Sequence, residues 1–322
     1  MQSTANPEKT IRICFTGDVM LSRGVKNIIV KKGKDFLFDS LRDVLSQYDY
    51  KFINLECPIT KFTYPPDKPF SFRADSDYVG ILTAARITHA TLANNHIDDQ
   101  RIEGAADTYN FLIANRIVPI GLKGKTDTIC RPAEINLGRR KLAVFGALGI
   151  EMNLSNIWFC YDSLFVKSVE EYKRANPAAF VICYLHWGIE YLKHPSNDQV
   201  IIAHELIDRG ADMIIGHHPH VIESIQSYKG KPILYSLGNL IFDQHDEDAK
   251  KGIFAGLTFR DSIVETEIVP YNIKQFRPEL LPPEEKPGFK KSLLKISNGI
   301  SLIDSDKGWK LIESRPTEVA TK

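Results

Sequence analysis

Five short apolar runs in this chain each end in a residue that can ligate a metal or move a proton. "ICFTGD" ends in Asp18, "KFINLE" in Glu56, "THATLANNH" in Asn95 and His96, "VICYLHWG" carries His186, and "DMIIGHHPH" closes on His218 and His220. The runs are β-branched or aromatic, each passes through a polar turn, and stretches with helical spacing follow, an alternation that argues for an α/β fold. In open α/β sheets, ligands bind beyond the C-terminal ends of the strands, so separate strands would deliver carboxylate, amide and imidazole to one rim.

The pattern predicts strands at Ile11–Thr16, Lys51–Asn54, Ile87–Leu92, Lys141–Leu148, Ala179–Leu185, Met213–Ile215 and Pro232–Ser236. Helical spacing covers Asp77–Arg86, Glu103–Asn115, Val166–Ala175 and Asp198–Asp208, with Gly210 placed for a left-handed C-terminal cap. Beyond Phe254, "AGLTFR" and "SIVETEIVPY" alternate as antiparallel strands do, so the fold is mixed rather than purely parallel. "QFRPELLPPEEKPG", Gln275 to Gly288, reads as an extended crossing before a short helix at Phe289–Ser297. No repeat or linker stands out. The expected organisation is an N-terminal tail (1–10), one catalytic domain (11–272) and a C-terminal extension packed on it (273–322), with a mobile tail from Glu313.

Composition narrows the partners. Lys plus Arg (41) balances Asp plus Glu (40), so no global field favours nucleic acid or an anionic membrane, and an anionic substrate must be caught by local charge. Met1–Thr10 lacks the apolar core of a signal peptide and no run is long enough to span a membrane, which gives a cytoplasmic expectation. Cys14, Cys57, Cys130, Cys160 and Cys183 are odd in number and widely spaced, with no Cys-x-x-Cys pair, and read as reduced buried side chains.

Singly, the polar residues have plain structural uses: Asp18 as a helix cap, Asn95 as a turn former, His186 as a core histidine, Glu56 as a rim charge. Three imidazoles within Gly216–His220 have little structural use, and histidine is the commonest metal ligand. Two close divalent ions need a shared carboxylate, neutral nitrogen donors and an open position for water, and this oxygen and nitrogen donor set suits Mn, Fe or Zn.

"GDVMLSRGV", "NLECPIT", "LANNHIDD", "LHWGIEY", "GHHPHVIE" and "YSLGNLIFDQ" resemble the CapA, or poly-γ-glutamate capsule biosynthesis, branch of the calcineurin-like metallophosphoesterase superfamily, over roughly Ile11 to Gln244. The resemblance implies a four-layer α/β/β/α sandwich of two mixed sheets. It implies Asp18 on a first metal, Glu56 as the bridging carboxylate, Asn95, His186 and His218 on the second metal, and His220 on the first. His96 falls where the superfamily keeps a histidine facing the leaving group. Three departures stand out: Met20 replaces an expected first-metal imidazole, Glu56 an aspartate, and an extra residue leaves His217 outside the ligand set.

The expected activity is hydrolysis by a metal-activated hydroxide, with His96 as proton donor and Asp98 or Asp99 orienting its imidazole. Arg23 and Arg73 are candidates for gripping a phosphate or carboxylate, Glu190 for a place beside the substrate or behind a ligand, and Ser236, Asn239 and Asp243 for a wall of the same rim. A phosphoester, or a γ-glutamyl-type amide as in poly-γ-glutamate, would serve as substrate. The alternatives are an assembly factor that binds a polyanionic polymer or biosynthetic partner proteins on the same scaffold, and a mononuclear enzyme using the second site alone.

Overall fold

Strand β1 (Ile11–Val19) shows how the layers are set. Successive side chains of a strand point to opposite faces. Ile13 and Phe15 join a buried cluster with Ile182, Tyr184 and Ile215, whereas Cys14 belongs to a different one with Val25, Ile29 and Leu82. The first cluster is the seam between two sheets and the second lies between a sheet and its helices.

The computed structural model describes residues 10–66, 68–123, 127, 129–150, 162–260 and 263–313, with 162 and 163 by backbone only. The strands after β1 are β2 (Tyr50–Leu55), β3 (His89–Thr91), β4 (Val118–Ile120), β5 (Ala133–Asn136), β6 (Lys141–Gly149), β7 (Phe180–Trp187) and β8 (Met213–His217). They continue with β9 (Ile225–Tyr228), β10 (Lys231–Leu234), β11 (Asn239–Ile241), β12 (Lys251–Arg260), β13 (Ile263–Lys274), β14 (Arg277–Leu280), β15 (Ile300–Asp304) and β16 (Trp309–Glu313). Among the described residues, one sheet runs β15-β16-β13-β12-β1-β2-β3-β4, with β11 on β1 and β14 on β13, and the other runs β5-β6-β7-β8-β10-β9. The centre of each is parallel: β1 with β2 and β11, β2 with β3, and β6 with β7 with β8. Antiparallel strands flank both, as β12 on β1 and β5 on β6.

Helices cover the outer faces. Arg23–Lys32, Val79–Ala84 and Arg101–Ala114 send Val25, Ile29, Leu82 and Leu112 onto the first sheet. Asp162–Ala175 and Asn197–Asp208 pack Phe165, Val169, Ala203 and Leu206 against Phe145 and Cys183 of the second. The order is therefore helix, sheet, sheet, helix, the four-layer mixed sandwich expected. Across the seam the Tyr184 hydroxyl donates to the Thr16 carbonyl at 2.6 Å, just before β1 reaches Asp18. An unpaired buried hydroxyl costs about 1–3 kcal/mol, so this bond fixes the register of one strand end against the other.

Some expectations need correction. Gln275–Gly288 is not a plain crossing: Gln275 and Phe276, both with positive φ (52° and 64°), turn β13 tightly into β14. Hairpin turns of that handedness favour Asn-Gly, and without that signature the turn was illegible. The following helix begins at Lys286, with Pro287 in its first turn, where a missing N–H costs nothing. Asp77–Arg86 divides into a 3-10 turn (Ser76–Tyr78) and a helix (Val79–Ala84). Cys14, Cys57 and Cys183 are free and buried, but Cys130 is disulfide-bonded, against the expectation of five thiols. The expectations for Met1 to Lys9 and for the tail beyond Glu313 lie outside the described residues.

Candidate metal centre

The rim is assembled by register. Asp18 pairs with Asn54 of β2 on one side and Asn239 of β11 on the other, with irregularities in both ladders. The approach of β11 leaves no room for a side chain before Asp18: a Cβ on Gly17 would lie 1.8 Å from the Gly238 carbonyl oxygen. Glu56 follows β2 directly, Asn95 and His96 lie on the turn after β3, and His186 is near the end of β7. Past β8, His218 and His220 take positive φ (94° and 59°). Such conformations cost a non-glycine residue about 1–3 kcal/mol and persist where the surroundings hold them.

The side chains converge on Glu56. Its Oε1 stands 3.6 Å from His220 Nε2, 3.8 Å from His186 Nε2 and 4.0 Å from His96 Nε2. None of these is a hydrogen bond, and both carboxyl oxygens are buried without a partner among the described residues. Donor atoms of Glu56, His186 and His218 lie within 4.8 Å of one another, as do those of Asp18, Glu56 and His220, so Glu56 is shared by two potential ion positions. Asn95 Oδ1 adjoins the first set, 2.8 Å from His186 Nε2.

The electrostatics suit cations. Burial, then the nearby Asp18, Glu190 and Asp99 carboxylates, push the Glu56 carboxyl well above its usual range. Burial also raises Asp18, but His220, His217 and Asn54 outweigh it and leave that carboxyl below its ordinary value. Burial lowers His186 well below its ordinary value, His217 to about 4 and His218 to about 3, so these imidazoles are neutral at pH 7. Ionised Asp18 and the neutral imidazoles are in the forms that bind metal, whereas Glu56 would give up its proton as a cation binds beside it.

The neighbours orient the donors. Asn239 Nδ2 donates to the His220 and Ala249 carbonyls and to Gln244, which leaves its Oδ1 to accept from His220 Nδ1 at 2.9 Å. His220 Nε2 then carries the lone pair that faces Glu56, the arrangement that fixes a ligating histidine. Asn54 donates to Asp18 Oδ1 at 2.7 Å, lies 3.0 Å from His186 Nδ1, and is itself held by Asn94. The sequence signal for Asn54 is its place in "KFINLE", two residues before Glu56 and so on the same face of the strand.

His96 stacks on Phe72 at 4.0 Å and its Nδ1 lies 2.7 Å from Asp99 Oδ2. Of the two acids expected to orient this ring, Asp99 does so, while the Asp98 carboxylate pairs with Lys68 at 3.0 Å. The reason is backbone geometry: Asp99 Oδ2 also accepts from the Phe72 N–H at 2.5 Å, which turns it inward. Lys68, not foreseen, also contacts Asp99 and donates to the Asn95 carbonyl at 2.8 Å.

The expected anion grips are otherwise engaged. Arg23 pairs with Asp243 and lies over Phe72, 4.7 Å from the ring centroid. Arg73 donates to Asp75 at 2.6 Å and to the Thr60 carbonyl at 3.2 Å, which commits its guanidinium to its own loop. Met20 is buried, its sulfur accepting from the Ser22 N–H at 3.0 Å. His217 packs edge-on to Tyr184 and its Nδ1 is 3.7 Å from Asp18 Oδ1. Glu190 is exposed, within 4.8 Å of donor atoms of His218 and His220. Ser236 donates to the Val221 carbonyl at 2.7 Å.

Behind the turn after β7, Glu223 is buried and accepts from Gln199 at 3.0 Å, with its other oxygen unpaired. Burial pushes its carboxyl up to about 8, so the folded chain holds a proton that the unfolded chain has lost. Its contribution to stability is therefore complete below the unfolded value and is lost as pH rises through about 8. Buried neutral His217 and His218 act in the opposite sense, losing stability below about pH 6.5 as the unfolded chain takes up protons. Between about pH 6.5 and 8, Glu223→Gln is expected to flatten the decline in unfolding free energy, which for one group cannot exceed about 1.4 kcal/mol per pH unit. Denaturant melts across that window check it, and an unchanged slope would exonerate Glu223.

Comparison with known proteins adds the context. The sequence profile of a family described as bacterial capsule synthesis protein PGA_cap matches residues 12–244. The capsule biosynthesis protein CapA of Bacillus anthracis is 31% identical over 291 residues, 84% of this chain and 69% of that protein. The PGA biosynthesis protein CapA of Bacillus subtilis (strain 168) is 30% identical over 240 residues, 71% of this chain and 63% of that protein, so less than two thirds of the latter's length is matched. Among solved structures, one described as a novel phosphatase from Mycoplasma pneumoniae superimposes with a TM-score of 0.52 at 14% identity, covering 82% of this chain and 94% of the other. At that identity the likeness is one of fold.

Proposed function

The chain belongs to the bacterial capsule synthesis protein PGA_cap family, and from that premise we propose that it is a metal-dependent hydrolase of phosphoesters or γ-glutamyl-type amides that serves capsule or poly-γ-glutamate synthesis. The observation that carries the reading is Glu56. A buried carboxyl with neither oxygen paired is costly, by about 1–3 kcal/mol or more, unless something cationic satisfies it, and three imidazole nitrogens surround it.

Asp18, Glu56 and His220 would hold one ion, and Glu56, Asn95, His186 and His218 the other, with Mn, Fe or Zn suited to these donors. Such ions supply an activated water and a Lewis acid. His96 works from Nε2, its Nδ1 held by Asp99, and delivers a proton to the leaving oxygen or nitrogen. Lys68 anchors the turn that carries both Asn95 and Asp99.

A second reading, a polymer-binding assembly factor, draws support from Met20, whose sulfur is turned to the backbone where the resemblance implies an imidazole. The relatives' names, capsule biosynthesis protein and PGA biosynthesis protein, speak of biosynthesis, not of a reaction. As to location, no helix among the described residues is long and apolar enough to cross a membrane.

The test is turnover. Protein reconstituted with Mn²⁺ is assayed on p-nitrophenyl phosphate, a bis-p-nitrophenyl diester and γ-glutamyl-p-nitroanilide, with and without chelator. Chelator-sensitive cleavage of at least one is expected. Metal-replete protein that cleaves none of them while binding poly-γ-glutamate would favour the assembly factor.

A further inference from the structure

We propose that Glu190 is itself a metal ligand, the carboxylate that makes good the imidazole lost at Met20. The inference rests on the metal-centre reading above and adds a donor that the family resemblance does not supply.

Three observations carry it. A Glu190 carboxylate oxygen and ring nitrogens of His218 and His220 lie within 4.8 Å of one another. That third set shares His218 with the Glu56–His186 set and His220 with the Asp18–Glu56 set, so Glu190 stands where the two ion positions adjoin. His218 Nδ1 is buried without a partner, a donor still unassigned by the protein's own hydrogen bonds.

The turn that presents Glu190 is tightly constrained. Gly188 has φ 90°, and a Cβ there would lie 2.6 Å from the Gln199 side chain. Tyr191 takes φ 65°, an expensive conformation for a residue with a side chain. Its N–H donates at 2.8 Å to the carbonyl of Pro219, the residue between the two histidines. The segment bearing Glu190 is thus fastened to the segment bearing its partners.

The donor chemistry explains the need. Asp18, Glu56 and His220 are a sparse set for a hard divalent ion, and the Met20 thioether, a soft ligand, is occupied by the Ser22 N–H. A carboxylate brings a hard oxygen and a negative charge, and an exposed one can close on the ion without moving the core.

Calorimetric titration of chelator-stripped, full-length protein with Mn²⁺, with bound ions counted by elemental analysis, tests this without any substrate. Wild type is expected to bind two ions. Glu190→Gln, an exposed and nearly isosteric change, is expected to weaken one of them by at least ~10-fold and leave the other unchanged. Two ions bound by Glu190→Gln with wild-type affinities would overturn the proposal while leaving the binuclear reading intact. Wild type that binds no ion would overturn both, whereas two ions in wild type without hydrolysis would refute only the enzymatic reading.

Discussion

Glu56→Gln is expected to release both ions and to lower hydrolysis by roughly three orders of magnitude or more, while making the metal-free protein more stable. The two effects have one cause. Glu56 belongs to both donor sets, so its loss weakens each ion position at once. Metal-derived stabilisation of a transition state is worth several kcal/mol, and each ~1.4 kcal/mol is tenfold in rate. In the folded protein the same carboxyl is fully buried, unpaired and crowded by Asp18, Glu190 and Asp99. An uncharged amide that can donate to a neighbour relieves that burden by about 1–3 kcal/mol. Thermal melts in chelator, beside elemental analysis of the untreated variant, check both signs. A variant that keeps its metal, or that melts lower than wild type without metal, would contradict the role given to Glu56.

His96→Ala is expected to separate catalysis from metal binding: both ions stay and turnover falls about 100- to 10,000-fold, the usual contribution of a positioned proton donor. His96 Nε2 lies 4.0 Å from Glu56, but its Nδ1 is committed to Asp99 and its ring face to Phe72, which sets the imidazole toward proton delivery. The loss should be largest for substrates whose leaving group is strongly basic and small for p-nitrophenolate, which departs without a proton. A rate ratio that does not change with leaving-group basicity would place His96 in binding. Loss of an ion in His96→Ala would make it a ligand.

The architecture was legible because the apolar runs are short, rich in β-branched and aromatic residues as doubly buried parallel strands are, and end in unlike polar residues. Asp18, Glu56, His186 and His218 announced strand ends, and the register of β1, β2, β7 and β8 gathers them. What sequence could not show was which polar side chains face one another across elements. Arg23 read as free for an anion because Asp243, 220 residues away, is brought to it only by folding. Asn239 read as a wall residue, and its hold on His220 depends on three acceptors fixing its amide. Asp98 and Asp99 are adjacent, and the Phe72 N–H, from another loop, distinguishes them. The β13–β14 turn was hidden for a local reason, since neither Gln275 nor Phe276 advertises a positive φ.

Elemental analysis of protein purified without chelator, with wild type compared against Asn95→Ala and His220→Ala, shows whether two ions share Glu56. About two Mn, Fe or Zn ions are expected in wild type, with one lost in each variant and a different one in the two cases. About one ion, lost only in Asn95→Ala, would contradict the shared carboxylate and leave a mononuclear site. No ion after supplementation with metal would contradict the hydrolase altogether.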